Sequence, residues 1–242
     1  MKRELAAILF LAISVSCTAQ DSPLAWLNDS REAAGAHSVE ADALLSAVAQ
    51  RWAVTLAEAG VLSHRGADGT TVLDRYRATG GTEAHVGEIL GAGPTLADVE
   101  NGWARSADHR QMMLGRGWTH AGWGSAPRGS SQVWVVVFCE KLVANLSILD
   151  AGEGLTVRGR FTASGATAGL LYSGLAAIPP AAWDDGTRGF SFEVPSTLRE
   201  GYVRLGYIDP TGIFMLTNAF TLPRGTGSPG APARFSPPAP SP

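Results

Sequence analysis

The fold of this chain is organised around residues 63–110. This stretch contains the segments SHRGADG (63–69), VGEIL (86–90) and GWARSADHR (102–110). Each segment places one titratable side chain beside a turn, a strand or the start of a helix, and these are His64, Glu88 and His109. Two neutral imidazoles and one carboxylate can bind a divalent cation and leave positions open for water or a ligand. The same groups can equally form a buried hydrogen-bond network without any chemistry.

Two helices are predicted before this stretch. The first covers residues 23–35, where Leu24 and Leu27 are spaced for one apolar face. The second has apolar residues at three- and four-residue steps and ends at Gly60; these residues are Leu45, Val48, Trp52 and Leu56. Ser38 offers an N-cap for this second helix, and the acidic residues that follow suit its positive end.

Shorter elements are predicted from residue 63 onward. A polar loop (63–70), a short helix (71–78) and a strand (85–90) come first. Thr95 and Asp98 form the capping-box pattern of the next helix, and Ser106 begins a further turn. Two strands then follow at residues 118–123 and 132–140, joined by a turn at 127–130.

The second of these strands indicates the layering of the fold. Its run VWVVVF (133–138) is apolar on both faces, as in a strand at the centre of a covered sheet. Helices on both sides of a small sheet give an α/β fold, a three-layer α-β-α sandwich. We predict that this sandwich covers about residues 23–142, within a domain that begins near residue 20.

The pattern changes after residue 142. Apolar residues now alternate with polar or small ones between glycine, proline and aspartate turns: Leu155/Val157, Phe190/Phe192/Val194, Val203/Leu205/Tyr207 and Phe214/Leu216. This alternation predicts a second domain, residues 143–223, with a small all-β sandwich fold. Residues 224–242 are rich in proline, glycine and alanine, and we predict a disordered tail.

The N-terminus has the features of an export signal. Lys2 and Arg3 precede an apolar run (5–15) that is too short to span a bilayer. Either residues 1–16 are removed and Cys17 becomes a lipidated membrane anchor, or residues 1–19 are removed and the product is free. We therefore predict a secreted, periplasmic or surface-anchored protein.

Charge and cysteine content exclude other classes of protein. The formal net charge is −3 and no basic run is present, so we expect no binding to nucleic acid. Besides Cys17 the chain has only Cys139, in an apolar strand pattern that predicts a buried free thiol. An internal disulfide framework is therefore not expected.

The ordered series of motifs in residues 23–141 resembles the CAP superfamily, which includes cysteine-rich secretory proteins, antigen 5 and pathogenesis-related 1 proteins. The resemblance is to its bacterial, disulfide-free members, of the SCP-domain type. It implies an α-β-α sandwich, a secreted or surface location, and a cleft that binds a divalent cation in some members and lipids in others. His64 then matches the first cleft histidine of the family, Glu88 its strand glutamate and His109 its second histidine.

The chain departs from the family pattern in two places. Ile89 stands where the family usually has asparagine after the glutamate, and the second glutamate of the eukaryotic cleft has no match, with Ser106 near its place. The resemblance therefore implies a three-residue site, which suits a metal with water better than acid/base work by two carboxylates.

Elementary electrostatics adds two expectations. If Ser106 begins a helix, His109 lies in its first turn, where the helix dipole disfavours the imidazolium and keeps the ring able to bind a metal. Glu88 has apolar neighbours and would be expensive to bury alone, so it should have a partner, either a histidine or a metal.

Three functional hypotheses follow. In the first, a non-catalytic exported CAP-domain protein uses His64, Glu88, His109 and Ser106 to bind a divalent cation such as zinc or a small ligand, including a lipid. In the second, a metal-assisted hydrolase uses Glu88 as general base, although no His-Glu-x-x-His motif or nucleophile elbow is present. In the third, the β-domain binds a protein partner through its aromatic side chains, which are Tyr172, Trp183, Tyr202 and Tyr207.

Overall fold

The computed structural model describes residues 22–150, 154–198 and 201–222. The predicted export signal, Cys17 and the proline-rich segment 224–242 lie outside the described residues. The helices and strands of the first part are, in chain order, α1 (Pro23–Ala33), β1 (Glu40–Ala41), α2 (Ala43–Ala59), α3 (Val72–Ala78), β2 (Val86–Gly93), α4 (Leu96–Arg105), α5 (Ala107–Met113), β3 (His120–Arg128) and β4 (Ser131–Cys139).

The N-cap of α2 differs from the prediction. The chain stays extended after Ser38, because β1 pairs in parallel with the start of β3. The helix begins only after Asp42, whose Oδ1 accepts a hydrogen bond from the Leu45 amide at 2.8 Å. Its end agrees with the prediction, since Gly60 adopts the left-handed conformation with φ 71°.

The four strands form one sheet in the order β1-β3-β4-β2. Alternate residues of β4 enter two separate cores. Val133, Val135 and Val137 pack against α2, whereas the residues between them pack against α1, α4 and α5. The predicted α/β fold with a three-layer sandwich is confirmed.

Close packing of α2 on the sheet depends on two glycines of β3. A Cβ atom at Gly122 would overlap the backbone of Ser46, and one at Gly124 would overlap that of Gln50.

The turn between β3 and β4 is shorter than predicted, because β3 continues through Pro127 to Arg128. β1 covers only the start of β3, so among the described residues no strand pairs with β3 at Pro127 on that side and needs its missing N–H group.

A buried arginine joins α1 to the segment that follows α5. Arg31 is completely buried, and its guanidinium group donates hydrogen bonds to four main-chain carbonyls: His37 (2.8 Å), Met113 (2.5 Å), Gly115 (3.1 Å) and Trp118 (3.2 Å). Because Met113 is the last residue of α5, these hydrogen bonds also hold the end of the helix that carries His109, which forms one wall of the site described below.

The described residues beyond β4 are built mainly from strands. They are β5 (Val143–Asp150), β6 (Gly154–Phe161), β7 (Ala168–Ser173), β8 (Ala176–Ile178), β9 (Ala182–Asp184), β10 (Gly189–Pro195), β11 (Tyr202–Ile208) and β12 (Phe214–Thr221), with a 3-10 turn at Ser196–Leu198. Two four-stranded sheets, β5-β6-β10-β9 and β12-β11-β7-β8, enclose one core. Phe161 and Phe192 are fully buried at its centre.

One apolar pair of the predicted β pattern lies outside this core. The register between β11 and β12 shifts after Leu205, so Thr217 is an extra residue on β12. The shift places Phe220 in the core, whereas Phe214 and Leu216 lie outside it and are half-buried. Residues 214 and 216 therefore belong to a strand, as predicted, but they do not contribute to the core.

The segment before β2 adds to the free edge of β12. The Ala84 amide donates to the Thr217 carbonyl at 2.9 Å, and the Ala219 amide donates to the Thr82 carbonyl at 2.7 Å. This pairing covers an edge that would otherwise be exposed. Among the described helices, none is long and apolar enough to cross a membrane.

Candidate functional site

A cleft of about 500 Å³ opens beside β2, which is the edge strand of its sheet. The loop before α3 lines one side with His64 and Arg65, and α5 lines the other side with Ser106 and His109. Glu88 of β2 lies between these two walls. The structure thus brings together all four side chains that the sequence singled out for the cleft, because an edge strand lets both helical layers meet around it.

Glu88 is held at the base of this cleft by two partners. Its side chain is only 2% exposed, and its two oxygens lie 2.9 Å from His64 Nδ1 and 2.8 Å from Arg75 Nη2. The predicted histidine partner is therefore present, and a cation accompanies it. A buried carboxylate is tolerated where hydrogen bonds and an opposite charge replace its water.

Arg75 is the site residue that sequence reasoning missed. It lies on α3, where Thr71 and Asp74 form a reciprocal capping box that fixes the start of the helix. Its guanidinium carbon lies 3.7 Å from the ring centroid of Trp52. A usable signal existed, because a glutamate predicted among apolar neighbours needs a cation and α3 carries two arginines close in sequence.

His109 lies in the first turn of α5, as predicted, with Ser106 at the N-cap position. The Ser106 side chain makes no capping hydrogen bond. Burial and the neighbouring His64 lower the pKa of His109, against a smaller opposing effect of Asp108. The expected direction agrees with the structure, but desolvation is its main cause. His109 Nδ1 is buried and has no hydrogen-bond partner in the described part of the chain.

The residues on each side of Glu88 explain how α5 reaches the cleft. A Cβ atom at Gly87 would lie 2.6 Å from Met112 Sδ and 3.0 Å from the ring of Trp118, so only glycine lets α5 pack this closely. Ile89, at the position where the family usually has asparagine, is 1% exposed and packs in the core under α4 and α5. Having isoleucine instead of asparagine at this position therefore adds an apolar side chain to the core and removes a polar group from the site.

The arrangement does not form a set of metal ligands. In the described ranges, no three histidine, cysteine, aspartate or glutamate side chains form a group that could hold a metal ion. Both oxygens of Glu88 are engaged, and the Arg75 guanidinium already supplies the positive charge beside it. As the side chains lie, they fit a cation poorly, and binding one would require Arg75 to release Glu88.

One family model matches the first part of the chain. The model of the family described as CAP, the cysteine-rich secretory protein family, matches residues 24–139. No curated protein sequence matches the chain.

Several solved structures are similar to the chain. An outer surface protein from Borrelia burgdorferi is 24% identical with a TM-score of 0.46, and the match covers 48% of this chain and 88% of that one. An extracellular protein containing an SCP domain from Bacillus anthracis is 20% identical with a TM-score of 0.46, covering 49% and 39% of the two chains. A cysteine-rich secretory protein from Staphylococcus aureus is 17% identical with a TM-score of 0.40, covering 53% and 41%.

Proposed function

On the premise that residues 24–139 form a CAP domain, we propose that this protein is exported and binds a small ligand in the cleft beside β2, without covalent catalysis. The single observation that carries the proposal is the convergence of His64, Glu88 and His109 on one cleft from three separate segments. Export is supported by the basic and apolar pattern of residues 2–15. A mass spectrum of the native mature N-terminus distinguishes a lipidated Cys17 from cleavage after residue 19.

The chemistry of the cleft favours a small molecule with both polar and apolar parts. Its polar groups include the imidazoles of His64 and His109, and the His64 side chain is 59% exposed. Its apolar walls come from Val72, Val86 and Met112. A concave site with apolar walls and a few polar groups is typical of small-ligand binding, and lipids belong to the class that would fit.

The test is a fragment screen by NMR on isotope-labelled protein. We expect fragments that bind the cleft to shift the amide signals of Gly87 and His109 together. Met112→Trp should fill the cleft and abolish these shifts, whereas the matched control Met112→Leu should keep them. Shifts that persist unchanged in Met112→Trp, or that never include Gly87 and His109, would contradict ligand binding at this cleft.

Divalent-cation binding is a second candidate, supported by the lowered pKa of His109, which keeps this imidazole neutral. Zinc should then raise the melting temperature, because a ligand that binds only the native state stabilises it. The combined variant His64→Ala plus His109→Ala should lose this shift. No shift in the wild type, or an equal shift in the variant, would end the cation hypothesis.

Metal-assisted hydrolysis has less support from the geometry. A general base needs a free oxygen directed at water, and both Glu88 oxygens are engaged by His64 and Arg75. We therefore expect no turnover of a peptide and ester panel in the presence of zinc. Turnover that disappears in Glu88→Gln would restore the hydrolase hypothesis.

The β-domain as a partner-binding module remains a separate proposal. Of the four aromatic side chains predicted for this role, Tyr207 is buried in the core and Trp183 packs against it. Tyr202 is 38% exposed but accepts a hydrogen bond from Arg77. A pull-down that compares residues 143–223 with the full chain tests this role, and binding retained by the fragment would favour it.

A further inference from the structure

A second cavity lies on the other side of the loop that carries His64, and it measures about 720 Å³. The loop separates the two spaces, since His64 and Arg65 line the cleft whereas Gly66 and Asp68 line the cavity. The loop is closed by a hydrogen bond from the Gly66 amide to the Thr70 carbonyl at 2.8 Å. The cavity is therefore a separate space with its own lining.

The wall formed by α2 is largely apolar. Leu44, Ala47 and Val48 line it, and Ala78 of α3 also lines the cavity. Such a wall suits the hydrocarbon part of a ligand, since burying apolar surface stabilises binding.

The polar groups of the cavity are rich in donors. Trp52, which is 6% exposed, and Arg75 both line it. Trp52 Nε1 and Arg75 Nε are buried atoms that have no hydrogen-bond partner within the described residues. Buried donors are nearly always paired in folded proteins, and leaving one unpaired is unfavourable. Trp52 and Arg75 place polar side chains in the lining, although these two donor atoms have no surface open to the cavity.

The charge of the cavity lining also favours a ligand with acceptor oxygens. Arg51 of α2 lines the cavity, is exposed, and has no acidic side chain within ion-pair distance in the described ranges. The one acid of the lining is Asp68, whose Oδ1 already accepts hydrogen bonds from the Thr70 amide (3.0 Å) and hydroxyl (2.7 Å). Guanidinium groups bind carboxylates strongly because their donors match the two oxygens.

We propose that this cavity binds an organic carboxylate with an apolar body, with its carboxylate directed at Arg51 and its apolar part against α2. This site is independent of ligand binding in the cleft. Arg75 also holds Glu88, so its substitution would disturb both spaces and is unsuitable as a test.

Benzoate is the probe, with benzamide as a neutral isostere and acetate as a carboxylate without an apolar body. The readout is the NMR signal of the Trp52 indole N–H, assigned from its loss in Trp52→Phe. We expect millimolar benzoate to shift this signal, and benzamide and acetate to bind more weakly. A Trp52 signal that does not respond to benzoate, or that responds equally to all three molecules, would overturn the proposal.

Two arginines on neighbouring walls give a matched pair of variants. Arg51→Gln should weaken benzoate binding by roughly tenfold, because it removes a charge-assisted contact. Arg65→Gln changes the cleft instead of the cavity and should leave the affinity unchanged. Ala47→Phe should fill the cavity and abolish binding while the variant stays folded, since Ala47 is exposed. Equal affinity in Arg51→Gln and Arg65→Gln would show that the site is not this cavity.

Discussion

The two parts of the described chain bury different chemistry. In residues 22–141 the interior includes the charged side chains of Arg31 and Glu88, each with hydrogen-bond partners from other segments. In the described residues beyond 141, the buried polar side chains are all neutral and the core is aromatic and aliphatic. A buried charge is tolerated only where its partners are fixed in position. The first part therefore holds fixed charged groups, which a binding site needs, whereas the second is built around an apolar core.

The largest loss of stability should come from a substitution in the aromatic core of the β-domain. Phe161 is fully buried, with its ring centroid 4.6 Å from Phe190 and 5.6 Å from Tyr207. Phe161→Ala should lower the free energy of unfolding by about 3 to 5 kcal/mol, because it removes apolar contacts and leaves a cavity. Urea denaturation measures this loss. Phe161→Leu keeps most of the volume and should lose about 1 to 2 kcal/mol, and an equal loss in both variants would contradict a packing-based core.

A second prediction concerns the buried charge of the α/β part. Arg31→Met should lower the free energy of unfolding by about 3 kcal/mol, because the carbonyls of His37, Met113 and Trp118 lose the donor that Arg31 supplies, whereas the Gly115 carbonyl keeps the Trp118 amide. Arg31→Lys keeps the charge but has a single ammonium group, so its loss should be smaller. A methionine variant as stable as the wild type would remove the contrast between the two parts, since apolar packing would then serve equally well in both.

The third prediction separates a buried ion pair from an exposed one. Glu88→Gln should lower the free energy of unfolding by about 2 to 3 kcal/mol, because the Arg75 guanidinium, only 13% exposed, loses its counter-charge. The matched control is Glu140→Gln, which breaks the exposed pair between Glu140 and His85 and should change stability by less than about 1 kcal/mol. Equal effects of the two substitutions would show that burial of Glu88 does not strengthen its pairing.

The same contrast explains what the sequence could predict. The periodic helices, the two-sided apolar strand β4 and the alternating β pattern depend on local periodicity, and they agree with the structure. The convergence of His64, Glu88 and His109 came from the ordered family motifs, which carry three-dimensional information that spacing alone does not.

The misses share a physical cause. The position of Asp42 as N-cap depends on β1 pairing with β3, which is about eighty residues away in the sequence. The contact of Arg75 with Glu88 depends on how α3 packs against β2, and the position of residues 214 and 216 outside the core, which the pattern did not address, depends on a bulge. Each of these is decided by tertiary contacts that override local preference.

The smallest predicted loss of stability concerns the partly buried ion pair between Asp42 and Lys141. It tests whether this pair contributes as much as the buried pair of Glu88 or as little as the exposed pair of Glu140. Asp42 caps α2 and lies 2.6 Å from Lys141 Nζ. Burial opposes ionisation of this carboxyl, but the hydrogen bonds from Lys141 and from the Leu45 amide outweigh it, and the pKa of Asp42 is lowered. Asp42→Asn keeps a good cap and should lose about 1 kcal/mol at neutral pH through the lost ion pair, whereas Asp42→Ala should lose about 1 kcal/mol more.

The lowered pKa of Asp42 also predicts how its contribution to stability changes with pH. Because the pKa of Asp42 is lower in the folded than in the unfolded protein, its contribution to stability is fully present above the unfolded value, about 4, and disappears as the pH falls through the folded value. The stability difference between the wild type and Asp42→Asn should therefore shrink as the pH falls below about 4. Urea denaturation at a series of pH values measures it. A difference that stays constant over this range would show that the pair with Lys141 contributes nothing, and the loss in Asp42→Ala would then come from the cap alone.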